Sequence, residues 1–271
     1  MGYGSAVGGI ALAAAVALAL PIAGAPGGEG EEDVVELPAA GGPVVLELFT
    51  SQGCSSCPPA EGVLSVLGLD PRTRDRVVPL AFHVDYWNRL GWADPFSAPE
   101  WSARQTRYDR ALGGDGPYTP QLVVDGRRHL NGAHGMRALQ ELADALRQPA
   151  AARLRLGSRR EGDALTVEIA AEVTRDVEAG ELRCLVALYE SGLVTDVERG
   201  ENAGRSLAND FIVRRLVPAF TLSPTKGARE SGTVELAIHP EWVSGNFGIA
   251  AFVQDPVSMA IHGAVRAEPR P

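Results

Sequence analysis

The feature that most constrains this chain is a nearly unbroken apolar run, Pro43-Val44-Val45-Leu46-Glu47-Leu48-Phe49, that leads into Cys54-Ser55-Ser56-Cys57 and then Pro58-Pro59-Ala60-Glu61. A continuous apolar run of this length suits a strand buried on both faces of a sheet. Proline is tolerated in the first turn of a helix, where its missing N–H has no partner anyway. Val63, Leu64, Val66 and Leu67 then follow at roughly helical spacing. The local reading is strand, turn carrying two cysteines, helix. A sulfur at a helix N-terminus faces unpaired backbone N–H groups and the positive end of the helix dipole, and both favour the thiolate. Such cysteines commonly titrate at roughly 3.5–7.5, against about 8.5 for a free thiol. With two residues between them, the second sulfur can reach back to close a disulfide. Cys54 is then the expected attacking thiol and Cys57 the resolving one.

Further apolar runs organise the rest of the chain. Residues 77–84 read as a second strand. Residues 85–116 are polar and aromatic, with a helix expected over 98–112. Pro120 to Val124, followed by Asp125-Gly126, reads as a strand entering a hairpin, with residues 127–130 as its partner. Met136, Leu139, Leu142, Ala143 and Leu146 trace one face of a closing helix. The expected order is β-α-β-α-β-β-α. After Pro149 the pattern changes: residues 165–169, 182–188, 234–238 and 249–253 read as strands separated by turn signals. That spacing predicts a small antiparallel β-sandwich. The divisions are residues 1–27, 28–42 (a Gly/Glu-rich linker), 43–149 and 150–271.

Residues 6–25 are almost entirely Ala, Val, Leu, Ile and Gly, and end in Ala23-Gly24-Ala25. Small residues at that place fit a signal-peptidase cut. No Lys or Arg precedes the run, and Pro26 follows directly, which a standard signal lacks. About 20 apolar residues are also enough to span a bilayer. A cleaved signal peptide and a retained membrane anchor both stand, beside a buried Ala-rich helix; the first two place the remaining chain in the periplasm or outside the cell. The net charge is −9, which repels phosphate backbones and argues against nucleic acid. The basic cluster Arg153, Arg155, Arg159 and Arg160 reads as a solvated face at the junction. Three cysteines in 271 residues are too few for a disulfide-stapled scaffold. Cys184, in an apolar strand, reads as a buried and inert thiol. With no nucleotide-binding fingerprint, no flavin or nicotinamide is expected.

The β-α-β-α-β-β-α order with C-x-x-C after the first strand resembles the thioredoxin fold. The blocks Leu48 to Ala60, His83 to Trp92 and Tyr118-Thr119-Pro120-Gln121, with the later Gly200-Glu201-Asn202-Ala203-Gly204-Arg205 and Asn209-Asp210-Phe211, are similar to the domain of unknown function 1223 family, over roughly residues 43 to 265. The resemblance implies an exported α/β thioredoxin-like domain with no settled activity. It also implies a cis-proline opposite the cysteines, at Pro120 after Thr119. The chain departs from thioredoxin in having Ser55-Ser56 between the cysteines and a Trp/Tyr-rich insert after the second strand.

Other residues carry rival readings. Glu47 is the one acid in its strand; buried carboxylates are rare without a partner or a task. It either relays a proton to Cys57 or pairs with an arginine. His83 and Asp85 end the second strand on the side of the cysteines, where capping competes with a supporting role. Trp87 and Trp92 either wall a substrate groove or pack the insert, and His129 and His134 read as surface residues. The expected function is thiol–disulfide exchange on exported protein thiols and disulfides, without cofactor or metal. Two alternatives stand beside it: a scaffold with a static disulfide, and a copper or zinc module in which a histidine such as His83 joins the cysteines.

Overall fold

The computed structural model describes residue 1, the backbone of residues 35 and 36, residues 42–242 and residues 245–267. The apolar run 6–25 and nearly all of the expected linker lie outside the described residues. The first half of the chain runs β1 (Val35–Glu36), β2 (Val44–Thr50), α1 (Pro58–Leu69), β3 (Val77–His83), α2 (Pro99–Leu112), β4 (Gln121–Val124), β5 (Arg128–Asn131) and α3 (Gly135–Leu146). Strands then take over: β6 (Ala152–Glu161), β7 (Ala164–Val173), β8 (Leu182–Glu190), β9 (Leu193–Asp196) and β10 (Ser206–Asn209). The last are β11 (Ile212–Leu222), β12 (Arg229–Ala237), β13 (Phe247–Gln254) and β14 (Ile261–Ala267).

Every residue of β2 and β3 is buried, as their composition requires. β2 pairs parallel with β3 and antiparallel with β4. Alternation along β2 sends Leu48 and Thr50 towards α1 and Glu47 and Phe49 towards α2: an added Cβ at Gly132 would touch both Leu48 and Ala60, whereas Phe49 meets Tyr108 edge to face. The turn Asp125-Gly126 joins β4 to β5, with φ of 47° and 65° at the two residues, the left-handed pair that such a tight hairpin requires.

The expected fold class needs correction. The β-α-β-α-β-β-α order is present, but its strands do not close a separate α/β thioredoxin-like domain, and no independent small sandwich follows. One mixed eight-stranded sheet runs β14-β13-β8-β11-β3-β2-β4-β5, so the later strands extend the sheet of the earlier ones. Fourteen strands against three α-helices make the described chain mostly β. The seam is β11 against β3, where Ile212 lies parallel to Ala81 and the Ala81 N–H donates to the Phe211 carbonyl at 2.7 Å. β11 escaped the pattern because it contains Arg214, Arg215 and Pro218 and two register shifts against β8, so no clean alternation survives. A second sheet, β1-β6-β7-β12, and a β9–β10 hairpin complete the chain.

Two apolar clusters result. One gathers the strands and helices around β2 and takes in Ala187, Ala250 and Phe252 from the later strands. The other joins β6 and β7 to the opposite residues of β8 and β13, such as Val186, Ile249 and Ala251. The basic cluster lies on β6, where Ala152, Leu154 and Leu156 are buried and Arg153 and Arg159 are exposed. Among the described residues no helix is long and apolar enough to cross a membrane.

Candidate functional site

Cys54 and Cys57 form a disulfide with their Cα atoms 5.5 Å apart. β2 delivers the chain into the turn, and Cys57 is the N-cap of α1, with Pro58 and Pro59 in the first turn. The turn closes on itself: the Cys54 N–H donates to the Ser51 carbonyl and the Cys57 N–H to the Cys54 carbonyl. Only its tip, Ser55 and Ser56, is exposed; both cysteines are fully buried. The Ser56 hydroxyl lies 3.3 Å from Cys54 Sγ.

The loop between β9 and β10 covers this turn. Asn202, itself buried, donates from Nδ2 to the carbonyls of Gln52 (2.8 Å) and Cys54 (3.0 Å). Arg205 donates to Asn202 Oδ1 and so orients the amide. The Glu201 carboxylate accepts from the N–H and hydroxyl of Ser55, which hold it below the ordinary range. The β10 end adds Asn209, which accepts from Gln52 Nε2 and donates to Glu61 Oε2 at 2.9 Å.

Behind the disulfide is a second layer of buried polar groups. Glu61, on the first turns of α1, accepts from the Thr50 hydroxyl at 2.6 Å and from Asn209. Burial raises its proton affinity, against the opposing pull of His83. His83 Nδ1 lies 2.8 Å from Asp94 Oδ2, which also accepts from the Gln52 N–H. Burial opposes charge on His83, but the adjacent Asp94 outweighs it and raises the imidazole, while His83 and several N–H donors lower Asp94 against its own burial. His83 Nε2 is buried with no hydrogen-bond partner among the described residues.

The expected site residues separate into two groups. Trp87 reaches the cysteine turn directly, at Gly53, whereas Thr119 reaches it through Trp87, and His83 through Asp94 and Gln52. The Thr119–Pro120 bond is cis, and Thr119 Oγ1 accepts from Trp87 Nε1 at 2.8 Å. Trp87 packs on the backbone just before Cys54, since a Cβ on Gly53 would stand 3.2 Å from its own Cβ. Trp92 donates from Nε1 to Gln52 Oε1. Asp85 does not cap α2 but exchanges two bonds with Ser102 within it: the Asp85 N–H donates to Ser102 Oγ, and the Ser102 hydroxyl donates to Asp85 Oδ1. His129 meets the Tyr118 hydroxyl, and His134 precedes α3 as its N-cap. Cys184 is buried in β8, and burial pushes its thiol up to about 12.

Glu47 takes the second of its two readings. Its carboxylate grips Arg104 through Nε (2.6 Å) and Nη2 (2.7 Å) and accepts from the Tyr108 hydroxyl (2.6 Å). Both oxygens are committed on the α2 face of β2, so the relay to Cys57 is withdrawn. The buried acid on the cysteine side is Glu61. Sequence reasoning missed it, although an acid one turn after C-x-x-C among apolar helix positions was a signal. Asp94 and Asn202 carried none, because nothing in their spacing says that they fold onto Gln52. Among the described residues no group of three or more His, Cys, Asp or Glu side chains is arranged to hold a metal. His83, the histidine offered for the copper or zinc alternative, pairs with Asp94 through Nδ1, which leaves Nε2 as its other ring nitrogen.

No curated protein matches the chain. Among solved structures, protein AGR_C_4864 from Agrobacterium tumefaciens superposes with a TM-score of 0.62 at 29 % identity, over 88 % of this chain and 98 % of that one. HBP35 of Porphyromonas gingivalis superposes with a TM-score of 0.59 at 17 % identity, over 84 % of this chain and 75 % of its own, a likeness of fold alone. The family model for the protein of unknown function DUF1223 matches residues 45–254, and the chain therefore belongs to the DUF1223 family.

Proposed function

We propose that this protein is an exported thiol–disulfide oxidoreductase that exchanges disulfides with protein thiols through Cys54 and Cys57. The observation that carries the reading is the placement of the pair: Cys57 caps α1, and the turn between the cysteines presents Ser55 and Ser56 to solvent. The dipole of α1 favours negative charge at the cysteines; its first two residues, Pro58 and Pro59, have no N–H to offer, and the Ala60 and Glu61 N–H groups donate to the Cys57 carbonyl. In the reductive direction, the Cys54 thiolate attacks a substrate disulfide. One substrate sulfur leaves as a thiolate, and a mixed disulfide remains. The Cys57 thiol loses its proton, its sulfur attacks Cys54 Sγ, and the second substrate sulfur leaves with the bonding pair. The substrate gains two electrons and the dithiol loses two. The oxidative direction reverses these steps. Export is supported by the composition of residues 6–25 and by the persistence of disulfides in oxidising compartments.

One observation favours a static disulfide in a binding protein: both sulfurs are buried, and Asn202 and Glu201 clamp the turn. Equilibration of the full chain in graded glutathione or dithiothreitol buffers, with alkylation of the reduced cysteines, separates the two readings. An oxidoreductase gives a reversible two-electron transition above about −300 mV. A pair that stays oxidised throughout that range would leave only the static reading.

A further inference from the structure

We propose that Glu61 is the buried proton acceptor for the Cys57 thiol, held in place by Thr50 and Asn209 and faced by the His83–Asp94 pair. The proposal rests on the oxidoreductase reading and adds a residue to its chemistry. Cys57 and Glu61 stand four positions apart at the start of α1, and the Glu61 N–H donates to the Cys57 carbonyl at 3.2 Å. Residues so spaced share one helix face. Both are buried, on the Leu48–Thr50 side of β2 and away from the Glu47–Arg104 pair.

The surroundings of the carboxylate are those of a group that changes charge. No Lys or Arg among the described residues forms an ion pair with it. Its two oxygens receive one neutral donor each, the Thr50 hydroxyl on β2 and the Asn209 amide on β10. The Thr50 hydroxyl can rotate from donor to acceptor, so either protonation state finds a partner. His83 on β3 favours the carboxylate, and Asp94, beyond His83, opposes it. The remaining element packed here, α1, offers Cys57. Burial raises the proton affinity of the carboxyl above that of an exposed glutamate, the direction a proton acceptor for a thiol requires.

In the resolving step the Cys57 S–H proton passes to a Glu61 oxygen. The Cys57 sulfur attacks Cys54 Sγ, and the substrate sulfur departs with the electron pair of the broken bond. The oxidant is the substrate disulfide. His83 and Asp94 are positioning residues here, acting through the charge on Glu61.

The test uses the reduced full chain and an aromatic disulfide, dithiobis(nitrobenzoate), in stopped flow. Attack by Cys54 releases the first coloured thiolate, and resolution by Cys57 releases the second. In Glu61→Gln the first phase keeps the wild-type rate, and the second slows at least about 10-fold, the low end of general-base catalysis. The second phase also loses its inflection with pH. An unchanged second phase with an unchanged pH profile overturns the role of Glu61 and leaves the oxidoreductase reading standing. Absence of both phases in the reduced wild type overturns that reading instead. If Glu61→Gln does not fold, Glu61→Asp serves: the shorter acid shifts the pH inflection of the second phase, and an identical profile refutes the proposal.

Discussion

Removing either partner of the Glu47–Arg104 pair tests whether Glu47 is structural. Arg104 is fully buried, and so is Glu47. The carboxylate receives three bonds of 2.6–2.7 Å, and Arg104 Nη2 reaches further to the Tyr108 hydroxyl and Gln254 Oε1, both at 3.2 Å. Burial alone would weaken the charge on Arg104, yet the Glu47 carboxylate outweighs it and holds the guanidinium above its usual range. Glu47→Gln leaves a cation in the core facing an amide, and Arg104→Met leaves a carboxylate with one hydroxyl. Each should cost about 3–5 kcal/mol, the range for breaking a buried pair on one side. The double substitution Glu47→Gln with Arg104→Met removes both charges and should recover a large part of that loss. Urea unfolding of the four proteins, read by far-UV circular dichroism, gives the cycle. The same samples, where folded, should show an unchanged rate of attack by Cys54. A single-variant cost below about 1 kcal/mol, or a double variant whose cost equals the sum of the singles, would refute the reasoning.

Three further outcomes follow from named groups. Burial lifts Asp125 from 3.8 to about 7, while the Val45 N–H and Arg127 pull the other way; the fold therefore favours the neutral acid, and stability declines as pH rises from about 4 through 7. Three units correspond to about 4 kcal/mol, an upper bound because the residue keeps some contact with water, so the stability advantage of Asp125→Asn over wild type should grow by up to that amount between pH 4 and pH 8 in paired urea titrations, and a pH-independent difference would contradict it. Gly126→Ala places a Cβ against the Met259 carbonyl at a φ of 65°, and should lower stability by at least about 2 kcal/mol by the same assay. Cys184 should resist iodoacetamide in the folded protein and react only after unfolding, read by mass spectrometry; labelling under native conditions would show that β8 opens locally.

The elements around the cysteines were legible because local chemistry dictates them. β2 and β3 are apolar throughout, α1 starts at a double proline, and Asp125-Gly126 marks its hairpin. Their assembly was not legible. β11 carries arginines and a proline, and its membership of the large sheet depends on pairing with β8, whose partner residues lie 22 to 40 positions back along the chain. Glu47 shows the same limit from another side. An acid in an apolar strand announces a buried partner or task, but which of the two depends on Arg104 arriving from α2 and Gln254 from β13. The alternation rule placed Glu47 on the face of Phe49; it could not say that Thr50, on the other face, would meet Glu61.

The same contacts change what the second half of the chain is for. A β-rich appendage would leave the cysteine turn complete without it. Here the Gln52 and Cys54 carbonyls are buried and accept from Asn202, Ser55 donates to Glu201, and Glu61 accepts from Asn209. Ser65 on α1 also donates to Asp210, and Arg266 on β14 donates to the Gly68 carbonyl near the end of the same helix. Without those residues the carbonyls would lose their partners, at about 1–3 kcal/mol for each buried group left unsatisfied. The helix that carries Cys57 would lose its ties at both ends. The geometry of the cysteine pair, and the polar layer behind it, are therefore properties of residues 44–267 taken together. Both sulfurs are buried and the loop holding Glu201 and Asn202 is bonded to the turn that carries them, so under the proposed exchange reading a substrate disulfide would have to displace part of that cover to reach Cys54. Under that reading, two contributions to exchange would be separable by mutation: the contacts of Glu201 and Asn202 with the turn, and the proposed proton acceptor Glu61.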